Sequence, residues 1–305
     1  MADKKFILNA DDFGMSEAFN TAILEGYQAG LLKSTSLVAN GQAYDEAVNN
    51  VIPACSDLGV GVHLNFIEGK SLVKDLNTLT DSDGNFNNSY GQMIIKAYNL
   101  KNNEFLKQLE TEFRAQIEKI KNSGVNITHI DSHVHTHAIP PIFELVCKLA
   151  KEYGIKQIRT QFERPYLIPD VMIHINLAYP INLIKIALLD SFTLINKPVA
   201  KKYGLNTNDY LLGVGYTSMM NALTVAYGLM SLQNKKDIIA EALIHPCRYE
   251  DGTIDNHFTE FQITKNSKLL GKIERMDYEI TNYKYLYSAE APEVVPLEAE
   301  PSAEV

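Results

Sequence analysis

The chain has 305 residues, 46% hydrophobic and 21% charged, a balance that supports a large buried core and excludes a disordered or fibrous chain. Much of its formal charge of −9 comes from an end that carries Glu290, Glu293, Glu298, Glu300 and Glu304 and no Lys or Arg, so the body is only mildly acidic and has no basic patch for nucleic acid. Cys55, Cys147 and Cys247 include no C-x-x-C pair and build no disulfide framework.

Taken in chain order, short β-branched runs alternate with helical patterns. Phe6–Asn9 reads as a strand and Glu17–Ala29 as the helix after it. The apolar run around Phe6 is cut by Asp11 and Asp12 before it reaches signal-peptide length. Ser36–Ala39 and Gly59–Leu64 are the second and third strands. Leu72–Leu100 is polar, with turn signals at Asp83-Gly84 and Asn87-Asn88, and reads as a long loop of the kind that is usually functional. Phe105–Asn122 has Phe105, Leu109, Phe113, Ile117 and Ile120 at helical spacing. Asn126–Asp131 is the fourth strand, Pro141–Tyr153 a helix with prolines at its start, and Lys156–Thr160 the fifth strand. Tyr210–Val214 and Ile238–Ile244 follow as the sixth and seventh.

Strands alternating with helices imply parallel βαβ units. About seven of them favour an α/β fold of the closed (β/α)-barrel type over an open doubly wound sheet. Residues 1–287 are expected to form one such domain, with an insert at about 167–204 and an acidic, disordered tail at 288–305. Within the insert, Ile181–Ile195 is apolar. It is expected to be a packed helix, the alternative being a surface helix in peripheral contact with lipid or an apolar substrate tail. No run of about 18 uncharged apolar residues occurs, so no membrane span is expected, and sparse cysteine usage points to the cytoplasm. A homodimer is the default assembly.

The chemistry-bearing residues gather at strand ends. Asp11 and Asp12 follow the first strand, and two adjacent carboxylates are costly to hold together unless a cation or a shared proton relieves them. Alone, the pair is equally a solvated turn. The segment from His129 to His137 places four of the eight histidines in nine residues, with His129, Asp131 and His133 on one face while the chain stays extended. His63 ends the third strand and His245 follows the seventh, where barrel active sites collect. Arg159 ends the fifth strand, with Glu163 just beyond it. His174 and His257 lack such placement and are expected to be structural, as is Cys247. One Asp with two His makes an open three-ligand site suited to metal-assisted hydrolysis. There is no phosphate-binding glycine loop beyond the weak Gly213-Val214-Gly215.

The segments Asn9-Ala10-Asp11-Asp12-Phe13-Gly14, Leu37-Val38-Ala39-Asn40-Gly41, Gly61-Val62-His63, His129 through His137, and His245-Pro246 together resemble the YdjC-like carbohydrate deacetylases, from about Lys4 to Tyr287. The resemblance implies a distorted TIM-like barrel related to the polysaccharide deacetylases. It implies one divalent metal ion, Zn²⁺ or Mg²⁺, held by Asp12, His63 and His133, with Asp11 as base and His245 as general acid. It further implies removal of an acetyl group from an N-acetylated sugar, either an N-acetylglucosamine-type oligosaccharide or a lipid-linked acetamido sugar. His135, His137, Arg159 and Glu163 are expected to contact substrate. The residues also admit another metal-dependent hydrolase, an amidohydrolase or phosphoesterase. The latter's His-x-His follows the first strand, whereas here it follows the fourth. A non-catalytic carbohydrate-binding barrel is a weaker third reading, because every candidate site residue is present.

Overall fold

A computed structural model describes residues 4–99, 104–170, 172, 174 and 176–286. The strands are β1 (Lys4–Phe13), β2 (Ser34–Leu37), β3 (Gly59–Leu64), β4 (Ile127–Ser132), β5 (Tyr210–Leu212), β6 (Ile238–Ile244) and β7 (Tyr278–Ile280). All pair in parallel, in the order β4-β3-β2-β1-β6-β5. β1 is long enough to serve two neighbours on one edge. Lys4–Phe6 pair with β7 and Asn9–Phe13 with β2, while Lys4–Ala10 pair with β6 on the other edge.

The regular ladders form a half-barrel. Its open side is spanned by single parallel bridges, Ile130 to Ile158 and Gln157 to Asn206, and by a hydrogen bond from Leu211 N to Phe162 O. The expected fifth strand at Lys156–Thr160 is therefore a bridged segment and not a regular strand, because it alternates partners residue by residue. β7 was not expected: three residues are too few for a periodic signal. Among the described residues the sheet has seven strands, with one expected strand exchanged for another.

Helices cover the outside of the sheet. α1 (Glu17–Gln28) follows β1, and residues 44–54 form an irregular helix with a π turn. The expected loop at Leu72–Leu100 contains a helix, α2 (Tyr90–Ala97), which opens with a capping box between Ser89 and Gln92. α3 (Glu104–Asn122) buries Phe105, Leu109, Phe113, Ile117 and Ile120, the face read from its periodicity. α4 (Pro140–Tyr153) ends on Gly154 in the left-handed region.

α5 (Ala178–Tyr203) fills the insert. By length and composition it could cross a membrane. Yet it turns Asn182, Ile186, Leu189, Phe192, Thr193 and Asn196 inward, and Asn196 Nδ2 donates to Ala138 O at 2.7 Å. It is a wall of the barrel. α6 (Ala222–Ser231), α7 (Asn256–Thr264) and α8 (Ser267–Arg275) complete the chain up to β7. The acidic residues expected to form a tail lie outside the described residues.

Candidate metal centre and its cavity

The site begins with an irregularity in β1. Ala10 pairs with Thr35 and Phe13 with Leu37, so β1 carries one residue more than β2 across this interval. The bulge contains Asp11 and Asp12, and Asp12 sits at φ 66°. Successive strand residues normally face opposite sides. A bulge with a left-handed residue re-aims one of them, so both carboxylates reach the same end of the barrel.

Asp12 Oδ1 lies 2.8 Å from His133 Nδ1 and 3.3 Å from His63 Nε2. One ligand atom from each of the three residues falls within 4.8 Å of the others. His63 presents Nε2 because its Nδ1 is taken by Asp131 Oδ1 at 2.7 Å, the carboxylate brace that fixes the tautomer of metal-binding imidazoles. His133 stands just past β4, where Val134 and His135 both adopt positive φ and turn the chain sharply. A carboxylate with two imidazoles, all largely buried, suits a divalent cation and leans toward Zn²⁺. The three residues fit the implied ion.

A second cluster, Asp11, His63 and Asp131, has similar composition, but a cation already sits there. The fully buried Arg159 donates to Asp11 through both terminal nitrogens at 2.7 Å, and its Nη2 is 2.9 Å from Asp131 and 2.6 Å from Glu241. Burial opposes charge on Asp11, but Arg159 outweighs it and holds the carboxyl below its usual range. Asp12 is held well below as well: burial opposes its charge, and hydrogen bonds from His133 and His63 overcome it. In His63, burial acts against protonation, and Asp131 and Asp12 override it to raise the pKa to about 10. The surrounding carboxylates thus favour added positive charge at this point.

A cavity of about 730 Å³ opens over these groups. Asp11, Asp12, His133, His135 and His245 line it, together with the apolar Val134, Leu188, Leu189, Val214 and Leu243. His245 Nδ1 is 3.4 Å from Glu260 Oε2 on α7. Burial disfavours its charge, but Glu260, with Asp12 and Asp11 farther off, raises its pKa to about 9. Two residues that line the cavity each carry a buried polar atom without a partner, Tyr90 Oη and His135 Nδ1.

A family model described as YdjC-like protein matches residues 5–294. The chain belongs to the YdjC-like family. It is 42% identical over 151 residues to a carbohydrate deacetylase of Clostridium beijerinckii, a match covering 50% of this chain and 58% of that protein. It is 41% identical over 152 residues to a carbohydrate deacetylase of Listeria monocytogenes, covering 50% and 59% respectively. The matched part thus spans less than two thirds of these relatives. A crystal structure from Enterococcus faecalis, provisionally described as a cellobiose-phosphate cleavage protein, superposes with a TM-score of 0.69 over 92% of this chain and 98% of its own. At 20% identity that likeness concerns the fold.

Within this YdjC-like fold, the residues singled out from the sequence separate into two groups. Asp11, Asp12, His133, His135 and His245 line the cavity, and His63 lies beneath Asp12. His137, Arg159 and Glu163 were expected to contact substrate. They are fully buried, are not among the cavity-lining residues, and hold other protein groups. His137 bonds Ser132 Oγ at 2.6 Å and Arg159 O at 3.0 Å. Glu163 accepts from the backbone of Val214 at 2.7 Å and Gly215 at 3.2 Å, fastening a loop of the cavity wall. His257, expected to be only structural, lines the cavity and also bonds His245 O at 2.8 Å. His174 bonds Tyr216 Oη at 3.1 Å. Tyr90 and Glu260 carried no sequence signal, since one sits in a polar stretch and the other inside an ordinary helix.

Proposed function

We propose that the chain is a metal-dependent hydrolase that removes the acetyl group from an N-acetylated sugar. The observation that carries this reading is the Asp12–His63–His133 triad facing a cavity that Asp11 and His245 share. The family and the names of its curated relatives support the same substrate class.

A divalent cation held by Asp12, His63 and His133 would supply Lewis acidity for a water and for the amide carbonyl oxygen. Asp11 is the base. Arg159 keeps it ionised and fixed, ready to take a proton from the attacking water. His245 is the acid. Glu260 keeps it protonated at neutral pH, so it can pass a proton to the departing amine. The amide C–N bond breaks, acetate leaves with the oxygen of water, and the amine leaves with the proton from His245. Tyr90 and His135 line the cavity, and each has a buried polar atom, Oη and Nδ1, that no protein group satisfies, so both are candidates to bind the sugar once it enters. Leu188, Leu189, Val214 and Leu243 suit an acetamido sugar with an apolar neighbour, such as a lipid-linked one, better than a uniformly polar oligosaccharide.

The test combines metal analysis of the purified protein with a screen of N-acetylated sugars and phosphate esters. Acetate release abolished by EDTA and restored by Zn²⁺ or Mg²⁺ is expected. Phosphate release, or acetate release indifferent to chelation, overturns the reading.

A further inference from the structure

α5 carries an apolar face that nothing among the described residues covers. Leu177, just before the helix, is 79% exposed, Ile184 is 71% exposed and Leu188 is 40% exposed. With Ile181 and Ile195 they recur at spacings of three, four and seven residues, so they share one side of the helix. The opposite side packs on the barrel. A contiguous apolar stripe of this length on a folded surface marks a contact site.

The ionic groups on the helix are distributed unevenly. Asp190 is turned toward the protein, where its Oδ1 accepts from Glu163 N at 3.0 Å. Lys197 reaches back to Asp209 O at 3.2 Å, and Lys202 pairs with Glu144 at 3.1 Å. Between Leu177 and Ile195, Lys185 is the exposed charge among the described residues. It lies to one side of the stripe, about 100° round the helix from Ile184, and lines the cavity.

We infer that this face of α5 rests on an anionic lipid surface, with Leu177, Ile181, Ile184 and Leu188 in the interfacial layer and Lys185 at the headgroups. Two observations select this occupant. Leu188 is both an exposed member of the stripe and a wall of the cavity, so the apolar face continues into the candidate site. A second copy of the chain packed on the same face would crowd the cavity mouth and bring two Lys185 side chains together. A lipid surface leaves the mouth facing the layer from which an apolar substrate arrives, and it pairs Lys185 with phosphate. The delivery of substrate rests on the deacetylase reading; the contact with lipid does not.

Co-sedimentation of the full chain with phosphatidylcholine vesicles, with and without phosphatidylglycerol, tests this directly. Binding is expected to need the anionic lipid. It should weaken at least about tenfold in the Leu177→Glu/Ile184→Glu variant, which removes two inserted side chains. Neither residue touches the cavity, so acetate release from a water-soluble acetamido sugar should be unchanged in that variant. The inference is overturned if the wild-type chain ignores every vesicle, or if the variant binds as well as wild type. It is also overturned if light scattering shows a wild-type dimer that the variant turns into a monomer. Vesicle binding without acetate release from any sugar would overturn the proposed activity and leave the lipid contact standing.

Discussion

Arg159 grips Asp11 with two parallel hydrogen bonds, each 2.7 Å long, and both residues are buried. The same guanidinium touches Asp131 and Glu241, so one cation holds three carboxylates. Removing it leaves those charges uncompensated. Arg159→Met is expected to destabilise the fold by about 3–5 kcal/mol in urea unfolding. Arg159→Lys keeps the charge but loses the fork that orients Asp11, so turnover should fall about 100-fold with a smaller loss of stability. Asp11→Asn should retain bound metal and lose turnover. Full activity in Asp11→Asn would sink the assignment of the base.

The brace from Asp131 to His63 yields a graded prediction for metal affinity. His133→Ala deletes a donor and Asp12→Asn removes the anionic one, so each should abolish tight Zn²⁺ binding in calorimetry. Asp131→Asn leaves all three donors but replaces the anionic partner of the His63 ring with a neutral acceptor, and affinity should drop about 10–100-fold. Equal affinities in Asp131→Asn and wild type would show that the brace does not set the site.

In the sequence, strand ends mark Asp11, Asp12, His63 and His133 as candidates because barrel chemistry collects there, while the choice of Asp12 over Asp11 as donor comes from the resemblance to the YdjC-like family. The bulge that brings Asp11 and Asp12 to one side was not legible. Its sign is the positive φ of an aspartate, which no residue pattern announces. The roles of Arg159, His137 and Glu163 were misread for a related reason. A polar residue near a strand end can face either the cavity or the interior, and these three are fully buried on other protein groups. Tyr90 and Glu260 depend on contacts between distant parts of the chain and leave no local trace.

The His245–Glu260 pair sets an alkaline limit on turnover. A general acid must hold its proton, and the pKa of His245 is raised to about 9, with burial opposing the shift and Glu260 driving it. Activity should therefore persist through neutral pH and fall as pH rises through about 9. Glu260→Gln removes the carboxylate, so the His245 pKa drops and the alkaline limb of kcat moves to lower pH. An unmoved limb in Glu260→Gln would assign it to another group.

Tyr90 offers a test in which stability and function move in opposite senses. Tyr90 lines the cavity, its hydroxyl is buried without a partner, and burial pushes its pKa up to about 12, so it remains a donor. Tyr90→Phe removes an unsatisfied polar atom and should leave the melting temperature unchanged or slightly raised. If the hydroxyl binds the sugar, KM should rise about 3–10-fold, the worth of one neutral hydrogen bond. A fall in melting temperature with KM unchanged would assign the hydroxyl a structural role.

Glu163 makes stability depend on pH through the cavity wall. Burial raises its pKa to about 7, and the bonds from Val214 N and Gly215 N offset only part of that. An unfolded glutamate ionises near its ordinary value of about 4.3, so between there and about 7 the folded chain holds a proton that the unfolded chain has lost. The sign follows: the contribution of this group is most favourable in acid and is lost as pH rises through that window. It is on the order of 4 kcal/mol, because each unit of difference is worth about 1.4. Glu163→Gln cannot ionise and should flatten this part of the stability profile, read as the urea midpoint at about pH 5 and about pH 8. Other carboxylates, Asp11 and Asp12 among them, pull the opposite way at lower pH because their pKa values are depressed. The difference between variant and wild type isolates Glu163, and a difference that stays constant across the window would refute its titration there.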